Sequence, residues 1–314
     1  MSDGARRGCG ARGLETSLPC SRSYGRLGRD IPKGSRLCCP SSGARNSGPG
    51  TAVGKTMTSE SLIVTEEGAS VRIALNRPER RNALDRDLVV ALGDALDAAV
   101  RREATRVIVL TGTGGSFCSG ADLAGMGGAA GDFAARIDEF HRLIRCVVTA
   151  PQPVVAAIDG PAVGFGADLA LACDLRVLSD RGYVQDSFVR IGLMPDGGGT
   201  LWLPELVGAG RALEYLLLGT RLDAARCQEL GVANRVVSVE AFEAAVAGLA
   251  RELSEAAPLA VRAIKHAVRA TSRDLLEGAL GREKAGQLSL LSSEDLREGV
   301  GAFLGKRAPR FVGR

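Results

Sequence analysis

A chain of 314 residues, 45% hydrophobic and 24% charged, carries the apolar mass of one large domain or two small ones. Aromatic residues make up 4% of it, too few for the stacking platforms that hold single-stranded nucleic acid. The net charge of +4 is concentrated at the start: residues 1–56 hold ten basic and three acidic side chains, so the remainder is slightly acidic and offers no footprint for DNA or RNA.

Residues 1–56 are dominated by Gly, Ser, Arg and Pro without an apolar period, a composition that predicts disorder. The segment lacks the continuous apolar stretch of a secretory signal. Its Arg- and Ser-rich, acid-poor character is that of a transit peptide, although Gly and Pro would interrupt an amphipathic helix. An over-extended gene start, with Met57 as the true first residue, accounts for it equally well. The expected location is the cytoplasm, or the mitochondrial matrix if the segment is a transit peptide. "GPGTAVGKT" (Gly48–Thr56) approximates a phosphate-binding loop, but the glycine required at position 49 is Pro49 and no strand precedes it. No segment approaches the ~20 uninterrupted apolar residues of a membrane span. Cys9, Cys20, Cys38 and Cys39 lie in this leader, and Cys118, Cys146, Cys173 and Cys227 in the body. None forms a CxxC pair, and with His141 and His266 as the two histidines no metal set is expected; a reducing compartment fits.

The body opens with "SLIVTEE" and "ASVRIAL", two short strands of a hairpin. "DRDLVVALGDALDAAVRR" has helical spacing and starts with Asp85 as cap. "RVIVLTG" reads as a buried strand, followed by the loop "TGGSFCSGADLAGMGG". In "GTGGSF" Phe117 occupies the third glycine position of a dinucleotide fingerprint, which argues against such a site. A helix over Asp132–Val148, the strand "PVVAAID", the segment "GPAVGFGADLALACD" and the strand "LRVLSD" follow. After Thr200 the pattern is almost wholly helical. Strands alternating with helices and then a helical tail predict an α/β domain with an α-helical appendage.

"FCSGADLAGM" and "GPAVGFGADLALACD" each follow a buried strand, and the second starts a helix near Phe165. Two outward backbone N–H groups from such loops could hold a developing enolate oxygen. Equally, both could be tight turns and nothing more. In "IGLMPDGGGT", Asp196 is either the cap of the following helix or a proton carrier.

"LNRPERRNALD", "FCSGADL", "PVVAAIDGPAVGFGADLALACDLRVLSD", "IGLMPDGGGT" and "EGVGAFLGKRAPRF", in this order, resemble the enoyl-CoA hydratase/isomerase (crotonase) superfamily over about residues 60 to 314. The resemblance implies a spiral of ββα turns over 57–253 and a helical C-terminal trimerisation region over 254–314. It implies trimers or dimers of trimers, and an acyl-CoA thioester substrate with no cofactor beyond the coenzyme A it carries. The oxyanion N–H groups would be those of Ala121 and Phe165. Ala121, Asp122, Leu123 and Ala124 would line the coenzyme A moiety, and Phe165 and Phe188 the substrate pocket.

Of the two glutamates of the family's hydratases, the first matches Asp168, one methylene shorter, and the second matches Phe188, which cannot move a proton. The family's dienoyl-CoA and epoxyphenylacetyl-CoA isomerases carry their working Asp four residues after the Gly of "IGL", which is Asp196. Double-bond isomerisation by Asp196, with Asp168 as a second candidate, is therefore the expected reaction. Hydration through Asp168, alone or with Asp196, is one alternative; a non-catalytic acyl-CoA-binding scaffold is another. Asp186 is a weaker acid candidate. His141 and His266 are expected at the surface, and Cys118 as a packing residue. Arg80, Arg81, Lys265 and Lys306 are candidates for the coenzyme A phosphates, each with an ordinary solvated face as its alternative.

Overall fold

The structure, a computed structural model, describes residues 55–58, 60–122 and 130–314. Strands β1 (Lys55–Thr58), β2 (Leu62–Glu67) and β3 (Ser70–Leu75) form an antiparallel meander. The β2–β3 hairpin is the expected one, whereas β1 corrects the leader boundary. Lys55 and Thr56, assigned to the disordered segment, pair with Glu66 and Thr65. An antiparallel edge is held by backbone groups, so a polar stretch without apolar alternation can still close a ladder. The rest of the leader lies outside the described residues.

Helix α1 (Arg86–Arg101) is capped by Asp85, whose Oδ1 accepts from Leu88 N at 2.9 Å, as its sequence indicates. Next come β4 (Val107–Gly112), α2 (Ala130–Thr149), β5 (Val154–Ile158), β6 (Pro161–Val163), α3 (Phe165–Ala172), β7 (Leu175–Ser179) and β8 (Tyr183–Gln185). A 3-10 turn at Phe188–Ile191 leads to α4 (Gly199–Val207) and α5 (Ala209–Leu218). The chain continues through β9 (Leu222–Asp223), α6 (Ala224–Glu229), β10 (Arg235–Val237) and α7 (Val239–Glu255) to α8 (Pro258–Val268), α9 (Ala270–Leu290) and α10 (Glu294–Leu304). The boundary expected at residue 253 falls inside α7.

The larger sheet has the order β1-β2-β3-β4-β5-β7-β10, parallel from β3 onward. Its central strands read as unbroken apolar runs because both faces are covered. In β4, Val107 and Val109 face Phe242 and Val246 of α7, while Ile108 and Leu110 belong to the opposite core with Leu92 of α1 and Leu143 of α2. Strand β10 joins the far edge of this sheet, in a region expected to be helical. Three residues are too short a run to carry a period.

Each turn of the chain places one strand in the larger sheet, one in a smaller sheet and then a helix. β5 leads to β6 and α3, and β7 leads to β8 and α4. The preceding turn is abbreviated: after β4, Cys118 makes a single parallel bridge to Ala162 of β6. Cys118, Ala162, Val184 and Leu222 thereby align across the small sheet, all buried. This is the ββα spiral, and its helical end packs back on it: α9 lies against α2 and α4, and α10 against the 3-10 turn. Among the described residues no helix is long and apolar enough to cross a membrane.

Candidate active site

A cavity of about 680 Å³ opens where the loop after β4 meets the start of α3, with Ala121, Phe165, Phe188 and Asp196 on its wall. Gly120 O and Asp122 N both bond Leu84, at 2.8 and 3.0 Å, in a single parallel bridge. The N–H of the intervening Ala121 therefore points away from Leu84. Phe165 is the first residue of α3, so its N–H has no acceptor one turn earlier. Neither group donates to another described residue. Gly120 brings the two loops together: at φ +90° it adopts a backbone conformation that other residues avoid, and a Cβ there would lie 2.8 Å from Val163 O and 3.3 Å from Phe165 N. Two unpaired donors, one with the positive end of a helix behind it, can hold an oxygen that gains negative charge. The Phe165 ring packs on Phe140, centroids 4.3 Å apart, and leaves the donor untouched.

Asp196 sits on the turn between the 3-10 helix and α4, buried but on the cavity wall. It is not the cap of α4. The N-cap is Gly198, and the first N–H groups are taken by Glu283 of α9, with Gly198 N donating to Oε2 at 2.7 Å and Thr200 N to Oε1 at 2.9 Å. Asp196 Oδ2 accepts from Gln287 Nε2 at 3.1 Å, and Oδ1 has no partner among the described residues. Burial, reinforced by the charges of Glu283 and Asp186, holds the Asp196 carboxyl well above the usual carboxylate range, and the Gln287 hydrogen bond opposes that rise.

Asp168 is fully buried and does not line the cavity. Its Oδ2 accepts from Gly197 N at 2.8 Å, and its carboxyl meets that of Asp186. A Cβ on Gly199 would fall on Asp168 Oδ1 and 2.6 Å from Asp186 Oδ2, so only glycine fits there. Burial first, then Asp186, Glu283 and Asp196, raises Asp168, and burial raises Asp186 to about 7. Two facing carboxyls in such surroundings share a proton. Asp168, the second candidate for proton carrier, lies on α3 next to the Asp196 turn and off the cavity wall.

His141, expected at the surface, is also a correction. It is 2% exposed on the inner face of α2, one helical turn from Ile137 and Ile144. Burial pushes its imidazole down to about 4, against a hydrogen bond with the Asp196 backbone. That inner-face spacing was legible in the sequence. His266 is exposed, as expected. Cys118 packs in the core, its thiol pushed up to about 12 by burial.

Arg80 and Arg81 are exposed at the rim of the cavity. Lys265 is not available there: it is buried, 2.6 Å from Asp174 and donating to Gln152 O at 2.9 Å. Lys306 is exposed and off the cavity, and the tail cation on its wall is Arg307, paired with Glu298 at 2.6 Å. Asp122 lines the cavity and pairs with Arg77 at 3.3 Å. Leu123 and Ala124 lie outside the described residues. Gly299, Ala302 and Phe303 of α10 complete the wall, which places part of the expected assembly tail at the site of its own chain. Sequence reasoning missed Glu283 and Gln287, which have no motif of their own. Among the described residues no group of three or more His, Cys, Asp or Glu is arranged to hold a metal ion.

A family model described as enoyl-CoA hydratase/isomerase matches residues 65–314. A probable enoyl-CoA hydratase of Rhodobacter capsulatus is 40% identical over 250 residues, covering 79% of this chain and 96% of the relative. The 1,2-epoxyphenylacetyl-CoA isomerase of Escherichia coli is 34% identical over 260 residues, covering 81% and 99%. The crystal structure of an enoyl-CoA hydratase from Mycobacterium avium subsp. paratuberculosis superposes with a TM-score of 0.74 at 34% identity, covering 80% of this chain and 98% of that one.

Proposed function

The chain belongs to the enoyl-CoA hydratase/isomerase family, and on that premise we propose that it moves the double bond of an enoyl-CoA thioester with Asp196 as the proton carrier. One observation carries this reading. Of the carboxyls on the cavity wall, Glu79 is exposed and Asp122 is tied to Arg77, whereas Asp196 is buried on the wall of the cavity that Ala121 and Phe165 also line.

With a 3-enoyl thioester, the Asp196 carboxylate takes a proton from C2. The C–H electron pair moves into the thioester, and the resulting dienolate oxygen accepts from the N–H groups of Ala121 and Phe165. Protonated Asp196 then returns the proton to C4, leaving the double bond between C2 and C3. The sequence is redox-neutral and calls for no cofactor beyond the coenzyme A of the substrate. Phe140, Phe165 and Phe188 surround this end of the cavity with apolar rings that disfavour attack by water.

Hydration is favoured by the names of several relatives, among them the Rhodobacter capsulatus protein and the Mycobacterium avium subsp. paratuberculosis structure. In this chain it would have to run on Asp196 alone, since Phe188 faces the cavity and Asp168 lies off its wall. Arg80 and Arg81 are the candidates for the coenzyme A phosphates, with the backbone of Ala121 and Asp122 along the carrier. A trimer or a dimer of trimers is the proposed assembly, checked by light scattering.

Spectrophotometric assay of trans-3-enoyl-CoA beside trans-2-enoyl-CoA tests the reaction. The expected result is migration of the double bond in the first with little addition of water to the second. Efficient hydration without isomerisation would overturn the reading, and inertness on both would leave an acyl-CoA-binding scaffold.

A further inference from the structure

We propose that Gln287 is a positioning residue for Asp196, anchoring one carboxylate oxygen while the other is left without a partner. This rests on the assignment of Asp196 as the proton carrier. Gln287 is fully buried on α9 and does not touch the cavity. Its Nε2 uses both hydrogens on the same turn, donating to Met194 O at 2.6 Å and to Asp196 Oδ2 at 3.1 Å. Its Oε1 has no partner. Burying an amide with an unmet carbonyl costs free energy that a methionine of similar shape would avoid. What the amide contributes at this position is therefore its two donors.

The surroundings of α9 make the anchor specific. Glu283, Gly286 and Gln287 lie on one face at i, i+3 and i+4. Glu283 takes the Gly198 and Thr200 N–H groups, and a Cβ on Gly286 would collide with Met194 Sδ, so α9 approaches the turn closely there. Of the three, Gln287 reaches the Asp196 carboxylate. The charged groups acting on Asp196 are Glu283 from α9, Asp186 after β8 and Asp168 from α3, all acidic, while His141 from α2 is neutral. The Gln287 donor is thus the side-chain contact that favours the ionised, proton-accepting form.

The test is the pH profile of isomerisation, with kcat and KM separated, for wild type, Gln287→Met, Gln287→Glu and Asp196→Asn. Loss of the donor in Gln287→Met should move the acid limb of kcat to higher pH by about one unit and lower kcat at neutral pH by roughly 10-fold, with KM within about twofold because Gln287 does not line the cavity. A purely structural role would lower stability and leave the limb in place. Gln287→Glu conserves shape, so it carries the test if the methionine variant fails to fold; a further carboxyl beside Asp196 should move the limb in the same direction. Wild-type midpoints in a folded Gln287 variant, together with an inactive Asp196→Asn, would overturn the positioning role alone. An active Asp196→Asn would overturn the proton-carrier assignment and this inference with it.

Discussion

Glu283 accepts the backbone N–H of Thr200 at 2.9 Å and, through its other oxygen, that of Gly198 at 2.7 Å, so helix α4 is capped from α9 across 83 residues of chain. A carboxylate at a helix start is stabilised by the unpaired N–H groups and the dipole. Supplying it from another helix leaves Asp196, three residues before α4, without a capping duty.

Asp196→Asn should therefore separate chemistry from folding. Asn cannot accept a proton at neutral pH, and isomerisation should fall by at least ~10²-fold, the scale of losing a general base. The melting temperature should change little, because the cap is Glu283. A variant that keeps its activity would refute the role of Asp196.

Glu283→Ala should show the opposite pattern at the level of stability. It leaves the buried Gly198 N–H, together with the N–H and hydroxyl of the exposed Thr200, without their acceptor. A loss of about 1–3 kcal/mol follows from one unmet buried donor, which for a domain of this size lowers the melting temperature by roughly 2–12 °C. Calorimetry that finds the variant as stable as wild type would mean that another group caps α4.

The Asp168–Asp186 pair predicts a pH slope. Asp186 titrates near 7 in the folded chain against an ordinary value of 3.8. Between about pH 4 and 7 the folded state keeps a proton that the unfolded chain has released, so the stability contributed by Asp186 falls as pH rises through this window. Asp186→Asn offers Asp168 an N–H in place of the shared proton and should flatten the change in melting temperature between pH 5 and 7.5. An unaltered slope would show that the two carboxyls do not share a proton.

Ala121→Pro removes one of the two cavity donors without touching a side chain that bonds anything. Turnover should drop by roughly 10²–10³-fold, whereas Ala121→Gly, which keeps the N–H, should be mild. Near-wild-type turnover in a folded proline variant would rule out an oxyanion hole at this place.

Much of the architecture was legible along the chain. Buried parallel strands announce themselves as runs such as "VIVL" because both faces are covered, and Asp85 announces α1 because a cap acts within three residues. Strands β1, β9 and β10 escaped because two to four residues carry no period, and pairing of backbone groups decides them. His141 was misplaced although its spacing from Ile137 and Ile144 puts it on the buried face of α2.

By itself, the sequence determined the α/β class, the two glycine-rich segments that carry Ala121 and Phe165, and the presence of an acid after "IGLMP". Only the tertiary structure decided which acid faces the cavity. Asp168, Asp186, Asp196 and Glu283 come from four separate stretches of chain, and all four are buried in one neighbourhood. Whether each carboxyl caps a helix, shares a proton or meets a substrate depends on which donors and charges lie within a few ångströms of it. Local spacing cannot encode that, because Glu283 and Gln287 reach the turn through the packing of α9, some 90 residues away in the chain, and the strength of a hydrogen bond or a charge depends on distance in space.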